Sequence, residues 1–178
     1  MKVSVIIPCF NEVNTVETLL NNVIKEKSCE KEIIIIDDFS TDGTRKILQN
    51  LNGIKYTKLI LNDTNRGKGY CIKKGIEKST GDIILIQDAD LEYSPTDYKI
   101  LTDPIKNGYA DVVFGSRFIG SQQKRVLFFW HTVGNKFLTI LSNMFTNLNL
   151  TDMECCYKVF KKDYRFSPSN IWGVRCHN

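Results

Sequence analysis

Three short apolar runs, Val3–Ile7, Ile33–Ile36 and Ile83–Ile86, constrain the fold of this chain most. Each is too short for a helix and shows no helical period. The second is continuous and β-branched, as expected of a central parallel strand buried on both faces. Helical spacing fills the gaps between them. Val16, Leu19, Leu20, Val23 and Ile24 share one helical face behind a capping-box-like start at Asn14 and Glu17. Asp42-Gly43-Thr44 opens a second helix to about Leu51, Tyr56–Leu61 is a further strand, and Gly67–Lys78 a third helix. The Gly67-Lys68-Gly69 step lacks phosphate-loop spacing and reads as a tight turn opening that helix. Strand and helix alternating at this rhythm predict an α/β fold: an open, mostly parallel sheet with helices on both faces.

In such sheets ligands sit beyond the carboxyl ends of the strands, near a switch in strand order. The acidic clusters fall at those ends: Glu12, Asp37-Asp38, and Asp88, Asp90 and Glu92 in GDIILIQDADLEYSP. Asp88 and Asp90, two residues apart in an extended segment, point the same way. Their charges repel unless a cation or a raised pKa relieves them. Oxygen ligands at this spacing suit a hard ion, Mg²⁺ or Mn²⁺, whose remaining ligands are waters and substrate phosphates. One acidic strand end is an ordinary polar turn. Three together exceed what a solvated rim supplies by chance.

Further along, Ser94-Pro95 starts a helix that runs to Lys106 with an interruption near Pro104. Asp111–Gly115 is a fifth strand leading into Ser116-Arg117, and Glu154–Lys161 a last strand carrying Tyr157. Arg125–Asn147 is amphipathic to apolar, with aromatics at its start and at Phe137 and Phe145. It is too polar to span a bilayer and reads equally as a core helix or as one lying in the headgroup region.

A length of 178 residues fits one domain. The net charge of +4 suits acidic lipids or phosphorylated substrates, but it is too small to argue for nucleic acid, and no basic run interleaved with aromatics occurs. The six cysteines lack framework spacing and read as free thiols of a reducing cytosol. Cys155, Cys156, Cys176 and His177 do not have the spacing of known zinc sites. The first residues hold too short an apolar run for a signal peptide, and no stretch reaches the roughly 18 apolar residues of a spanning helix. These features predict a cytoplasmic protein, soluble or peripheral on the cytoplasmic membrane face.

VSVIIPCFNE, EIIIIDDFSTDGT, GKGYCIKKGIEKSTGDIILIQDADLEYSP, DVVFGSRF and TDMECCYKVFKK, in this order and at these distances, resemble family 2 glycosyltransferases. Within that family the likeness is greatest to the dolichyl-phosphate (polyprenyl-phosphate) mannose synthase branch. It covers about residues 2–162 and implies one GT-A, Rossmann-like domain over 1–162, with a nucleotide-binding half to about 93 and an acceptor half from about 94. The family continues for some fifty further residues, whereas 163–178 form an atypical tail, as expected of a C-terminally truncated, a frameshifted or a naturally variant chain.

The implied activity is inverting transfer of a hexose from a GDP- or UDP-sugar to a polyprenyl phosphate. By the same resemblance, Pro8, Phe10 and Glu12 hold the nucleoside, and Ile36 and Asp38 contact its base. Asp88 and Ala89 lie against the ribose and diphosphate, Asp90 with Glu92 binds Mg²⁺ or Mn²⁺, and Arg117 faces the phosphates. Asp152, within Thr151–Cys156, is nearest the reaction centre and is the general-base candidate for a sugar-hydroxyl acceptor. A lipid phosphate, already largely ionised, needs cations instead, for which Arg117, Lys124, Arg125 and His131 are available. The alternatives are the same fold acting on a saccharide hydroxyl, and a catalytically weak nucleotide-sugar-binding remnant. Two residues depart from the family pattern. Phe10 replaces the more usual Tyr, and Phe39 stands where Gly is usual, in a position to crowd the nucleoside.

Overall fold

The computed structural model describes residues 1–51, 57–115, 129–146 and 157–163. Its frame is a six-stranded sheet of β1 (Val3–Cys9), β2 (Lys31–Asp37), β3 (Thr57–Leu61), β4 (Ile83–Ile86), β5 (Val112–Phe114) and β6 (Lys158–Lys161). The strand order is β3-β2-β1-β4-β6-β5. β1 pairs in parallel with β2 and β4, and β2 with β3, while β6 runs antiparallel to both β4 and β5. The order therefore reverses at β1, and the crevice between β1 and β4 is the switch point where this class of sheet takes ligands.

Strand pleating sorts the apolar runs to two faces. Val3, Val5, Ile7, Ile33, Ile35, Ile83 and Leu85 pack under α1 (Val16–Lys25), α2 (Thr44–Asn50) and α4 (Tyr98–Lys106). Ile6, Ile34, Ile36, Ile84 and Ile86 pack on the other face with Cys71 of α3 (Lys68–Lys78) and Phe160. Each such side chain, fully buried, contributes about 1.5–3 kcal/mol relative to exposure. That two-sided burial is why the runs are continuous rather than alternating.

Several boundaries differ from the sequence reading for local reasons. The Asn14–Glu17 box does not form: Thr15 is the N-cap of α1, without a side-chain cap, and its hydroxyl instead donates to Glu12 Oε2 at 2.7 Å. After Ser94, whose Oγ accepts from the Thr96 amide, Pro95–Asp97 is a 3₁₀ turn that runs into α4. Pro104 does not interrupt α4, which runs two residues past it to Lys106, although its missing N–H forgoes the bond to the Ile100 carbonyl. Glu154–Cys156, expected in the last strand, lie outside the described residues.

α5 (Phe129–Thr146) presents Val133, Phe137, Leu138, Ile140, Met144 and Phe145 outward, while Asn135 and Thr139 are buried and joined by a hydrogen bond of 3.3 Å. Among the described residues no helix is long and apolar enough to cross a membrane.

Candidate active site

The carboxyl ends of β1, β2 and β4 open on a hollow of about 240 Å³ lined by Pro8, Cys9, Phe10, Glu12, Asp38, Lys68, Cys71, Asp88, Ala89 and Asp90. Seven of these, Pro8, Phe10, Glu12, Asp38, Asp88, Ala89 and Asp90, are residues that the sequence singles out. Phe10 lines the hollow and keeps 47% of its surface exposed.

The loops after β1 and β2 are laced together. Asn11, at φ 56°, donates its amide to Ser40 Oγ and accepts from the Thr41 amide, and the Glu12 amide donates to Thr44 Oγ1. Asp42 Oδ2 accepts from the Val13 amide. This lacing fixes Phe10 and Glu12 at the mouth of the hollow.

The adjacent acids Asp37 and Asp38 have separate tasks. Asp37 is fully buried and takes Arg45 Nε at 2.6 Å, so its charge is spent inside the fold. Asp38 accepts from Asn62 Nδ2 at 2.8 Å and from the amides of Arg66 and Gly67, the latter at 2.7 Å. Burial alone would raise its carboxyl; these bonds outweigh burial and hold it below the ordinary range. The Cys71 thiol is a further partner of this carboxylate, and the Arg66 amide reaches both of its oxygens.

Around Asp90 the balance is reversed. Burial raises its carboxyl, the Glu92 amide at 3.1 Å opposes this, and the charges of Asp88, Glu92 and Glu12 raise it further. Asp88 is relieved by Lys68 Nζ at 2.5 Å; no lysine or arginine among the described residues pairs with Asp90. Such concentrated negative charge fits a divalent cation. Among the described residues no set of three His, Cys, Asp or Glu is arranged to hold one alone. The fit is therefore to a hard ion held by one or two carboxylates and completed by phosphate oxygens and water.

Several expectations change. Ile36 is fully buried among Ile6, Ile34 and Ile86, so its side chain does not line the hollow, because pleating turns it to the α3 face. Glu92 is exposed on the turn and is not among the lining residues, although its charge reaches Asp90. Phe39, at φ 66°, lies against the Arg45 guanidinium (5.4 Å) and not in the hollow, so it does not crowd that space. Arg117, Lys124, Arg125, Asp152 and the side chain of His131 lie outside the described residues, as do Cys155, Cys156, Cys176 and His177.

Three lining residues were not predicted. Gly67, at φ 84°, caps α3 as the expected tight turn, and that turn delivers Lys68 beside Asp88. A cation following a glycine at a helix start was the available signal. Cys9 and Cys71 line the floor as free thiols. Burial, then the charge of Asp38, pushes Cys71 up to about 12, and burial, then Asp37, raises Cys9 too, so both stay protonated.

Comparison with known proteins gives the family and the fold. The family model described as "Glycosyl transferase family 2" matches residues 4–165. The chain is 34% identical over 120 residues to a dolichol-phosphate mannosyltransferase of Pyrococcus furiosus, covering 67% of this chain and 34% of that protein. It is 29% identical over 168 residues to an undecaprenyl-phosphate 4-deoxy-4-formamido-L-arabinose transferase of Proteus mirabilis, covering 90% and 49%. It thus spans about a third to a half of the length of these relatives. Among solved structures, glucosyl-3-phosphoglycerate synthase of Mycobacterium tuberculosis, in complex with Mn²⁺, UDP-glucose and phosphoglyceric acid, matches with a TM-score of 0.67 at 18% identity, over 90% of this chain and 57% of that one. S. aureus TarS 1-349 matches with a TM-score of 0.62 at 23% identity, over 91% and 47%. These last two likenesses concern the fold, which is of the GT-A type. A family match across nearly the whole chain, on a sheet whose acidic strand ends meet at its switch point, places this protein in glycosyl transferase family 2.

Proposed function

We propose that the chain carries the donor-binding part of an inverting, metal-dependent glycosyltransferase that passes a hexose from a GDP- or UDP-sugar to a polyprenyl phosphate. The observation that carries this reading is the gathering of Glu12, Asp38, Asp88 and Asp90 around one hollow at the switch point. Pro8, Phe10 and Glu12 hold the nucleoside, and Asp38 accepts an N–H from its base. Asp88 and Ala89 lie along the ribose and diphosphate, with Lys68 beside them. Asp90, with Glu92 at its flank, holds Mg²⁺ or Mn²⁺, and the ion when bound neutralises charge on the departing diphosphate. Arg117, which follows β5 in the sequence and lies outside the described residues, is assigned by the family resemblance a second positive charge for the same diphosphate. A lipid phosphate, with a second pKa of about 6, attacks without a general base; Asp152 serves on the acceptor side.

The lipid acceptor is favoured over a saccharide hydroxyl by α5. Its exposed apolar side chains lie on one side of the helix, opposite Asn135 and Thr139, as in a helix resting at a membrane surface. The same feature supports peripheral attachment to a membrane, which we place at the cytoplasmic face, and the relatives named for dolichol and undecaprenyl phosphates support a lipid acceptor.

Calorimetric titration with GDP, UDP and their sugars, with and without Mn²⁺, tests the donor site. Asp90→Ala is expected to weaken Mn²⁺-dependent binding at least about tenfold, the loss of one charged ligand. A folded protein indifferent to manganese and to every sugar nucleotide ends the reading. Product analysis with polyprenyl phosphate against oligosaccharide acceptors tests the acceptor; transfer to the saccharide alone overturns that choice.

A further inference from the structure

The turn that carries Asp88 and Asp90 has no regular secondary structure, so its geometry depends on what anchors it. β4 ends at Ile86, and Gln87 continues the ladder by one bond, its amide donating to the Ile6 carbonyl at 3.0 Å. The Gln87 side chain is fully buried, where an apolar residue would carry no risk of an unsatisfied amide. It is bonded on both sides. Nε2 donates to the Asp88 carbonyl at 3.1 Å, while Oε1 accepts from Tyr157 Oη at 2.8 Å and from Tyr98 Oη at 3.0 Å. Both tyrosines are at most 2% exposed.

Tyr157 also holds the residue that follows β5. Its carbonyl accepts from the Gly115 amide at 2.9 Å, and a Cβ on Gly115 would lie 2.7 Å from Tyr157 Cβ. One residue at the start of β6 therefore grips the acidic turn through Gln87 and the end of β5 through Gly115.

We propose that Gln87 and Tyr157 are positioning residues, a buried hydrogen-bonded brace that sets the Asp88–Asp90 turn for the diphosphate and its cation. The claim rests on the donor-site reading above. The Tyr157 ring packs edge-on to Tyr93 (4.7 Å) and Tyr98 (6.1 Å) independently of its hydroxyl. Tyr157→Phe thus removes one of the two hydroxyls that hold Gln87 Oε1, leaves Tyr98 on the other, and keeps the packing.

The test uses the full chain, Tyr157→Phe, Gln87→Leu and the double variant, with two readouts. Hydrogen exchange of the amides of Gln87–Glu92 is expected to quicken about five- to tenfold in each single variant, while Val3–Cys9 stays within about twofold. Affinity for GDP and UDP with Mn²⁺ is expected to fall about fivefold, with GMP and UMP binding within about twofold of wild type, since the nucleoside contacts are untouched. The double variant should lose no more than Gln87→Leu alone, as members of one network are not additive. Unchanged exchange at Gln87–Glu92 overturns the proposal. So does an equal loss of mono- and diphosphate binding with exchange quickened throughout, the mark of general loosening. If the wild type ignores all four nucleotides, the donor-site reading fails, while exchange still decides whether the brace sets the turn.

Discussion

Glu32 illustrates how much one buried charge can hold. It lies at the end of the sheet away from the hollow, where it accepts from Ser4 Oγ at 2.6 Å and the Thr80 amide and pairs with Lys58 at 3.0 Å. Burial would raise its carboxyl, but these partners bring it down to about 2. Because the folded value lies below the unfolded one, its contribution is complete above about pH 4.5 and is lost as the pH falls towards 2. The shift corresponds to about 3 kcal/mol. Urea unfolding at pH 7 and pH 2 should show Glu32→Gln losing most of that difference at pH 7 and little at pH 2. Phe39 is the second case. Its positive φ disfavours any Cβ, so Phe39→Gly should exceed Phe39→Ala in stability by about 1 kcal/mol, both having lost the Arg45 contact. Equal stabilities would show that the left-handed backbone is not maintained. The role of Glu32 was not legible in the sequence, because its partners lie tens of residues away; Phe39 was marked only by standing where Gly is usual, and its contact with Arg45, six residues on, needed the fold.

α3 makes the same point for an element. Its helical pattern was readable, including the Gly67 turn, but its distance from the sheet was not. A Cβ on Gly75 would lie 2.5 Å from Ile6 Cγ2 and 3.1 Å from Ile36 Cδ1, so this glycine lets α3 settle on β1 and β2. Gly69, in the same helix, has nothing within 4 Å of such a Cβ. Gly69→Ala should stabilise by a few tenths up to about 1 kcal/mol through helix propensity. Gly75→Ala should instead destabilise by about 1–3 kcal/mol through overpacking, despite the same propensity gain. Thermal unfolding of the pair checks this; a shared sign would mean that α3 floats free of the sheet. Strand positions were also legible, since runs buried on both faces leave a continuous apolar signature. The Asn14–Glu17 box was misjudged because Glu12, from the preceding loop, offered Thr15 a better partner.

For the molecule as a whole, the sequence by itself determined the class of fold and the chemistry at the strand ends. Both are local: apolar run lengths and helical periods survive without knowledge of neighbours, and acids following strands stay where the chain puts them. Tertiary structure alone decided that β1 lies between β2 and β4, and hence that Glu12, Asp38, Asp88 and Asp90 share one hollow. It also inserted β6 antiparallel beside β4, which brings Tyr157 against Gln87, and it turned Ile36 into the core and left Glu92 outside the lining. The physical reason is that an isoleucine-rich strand pairs well with any similar strand. Which partner it takes is set by crossover connections and by packing on both faces, and no single segment records that outcome.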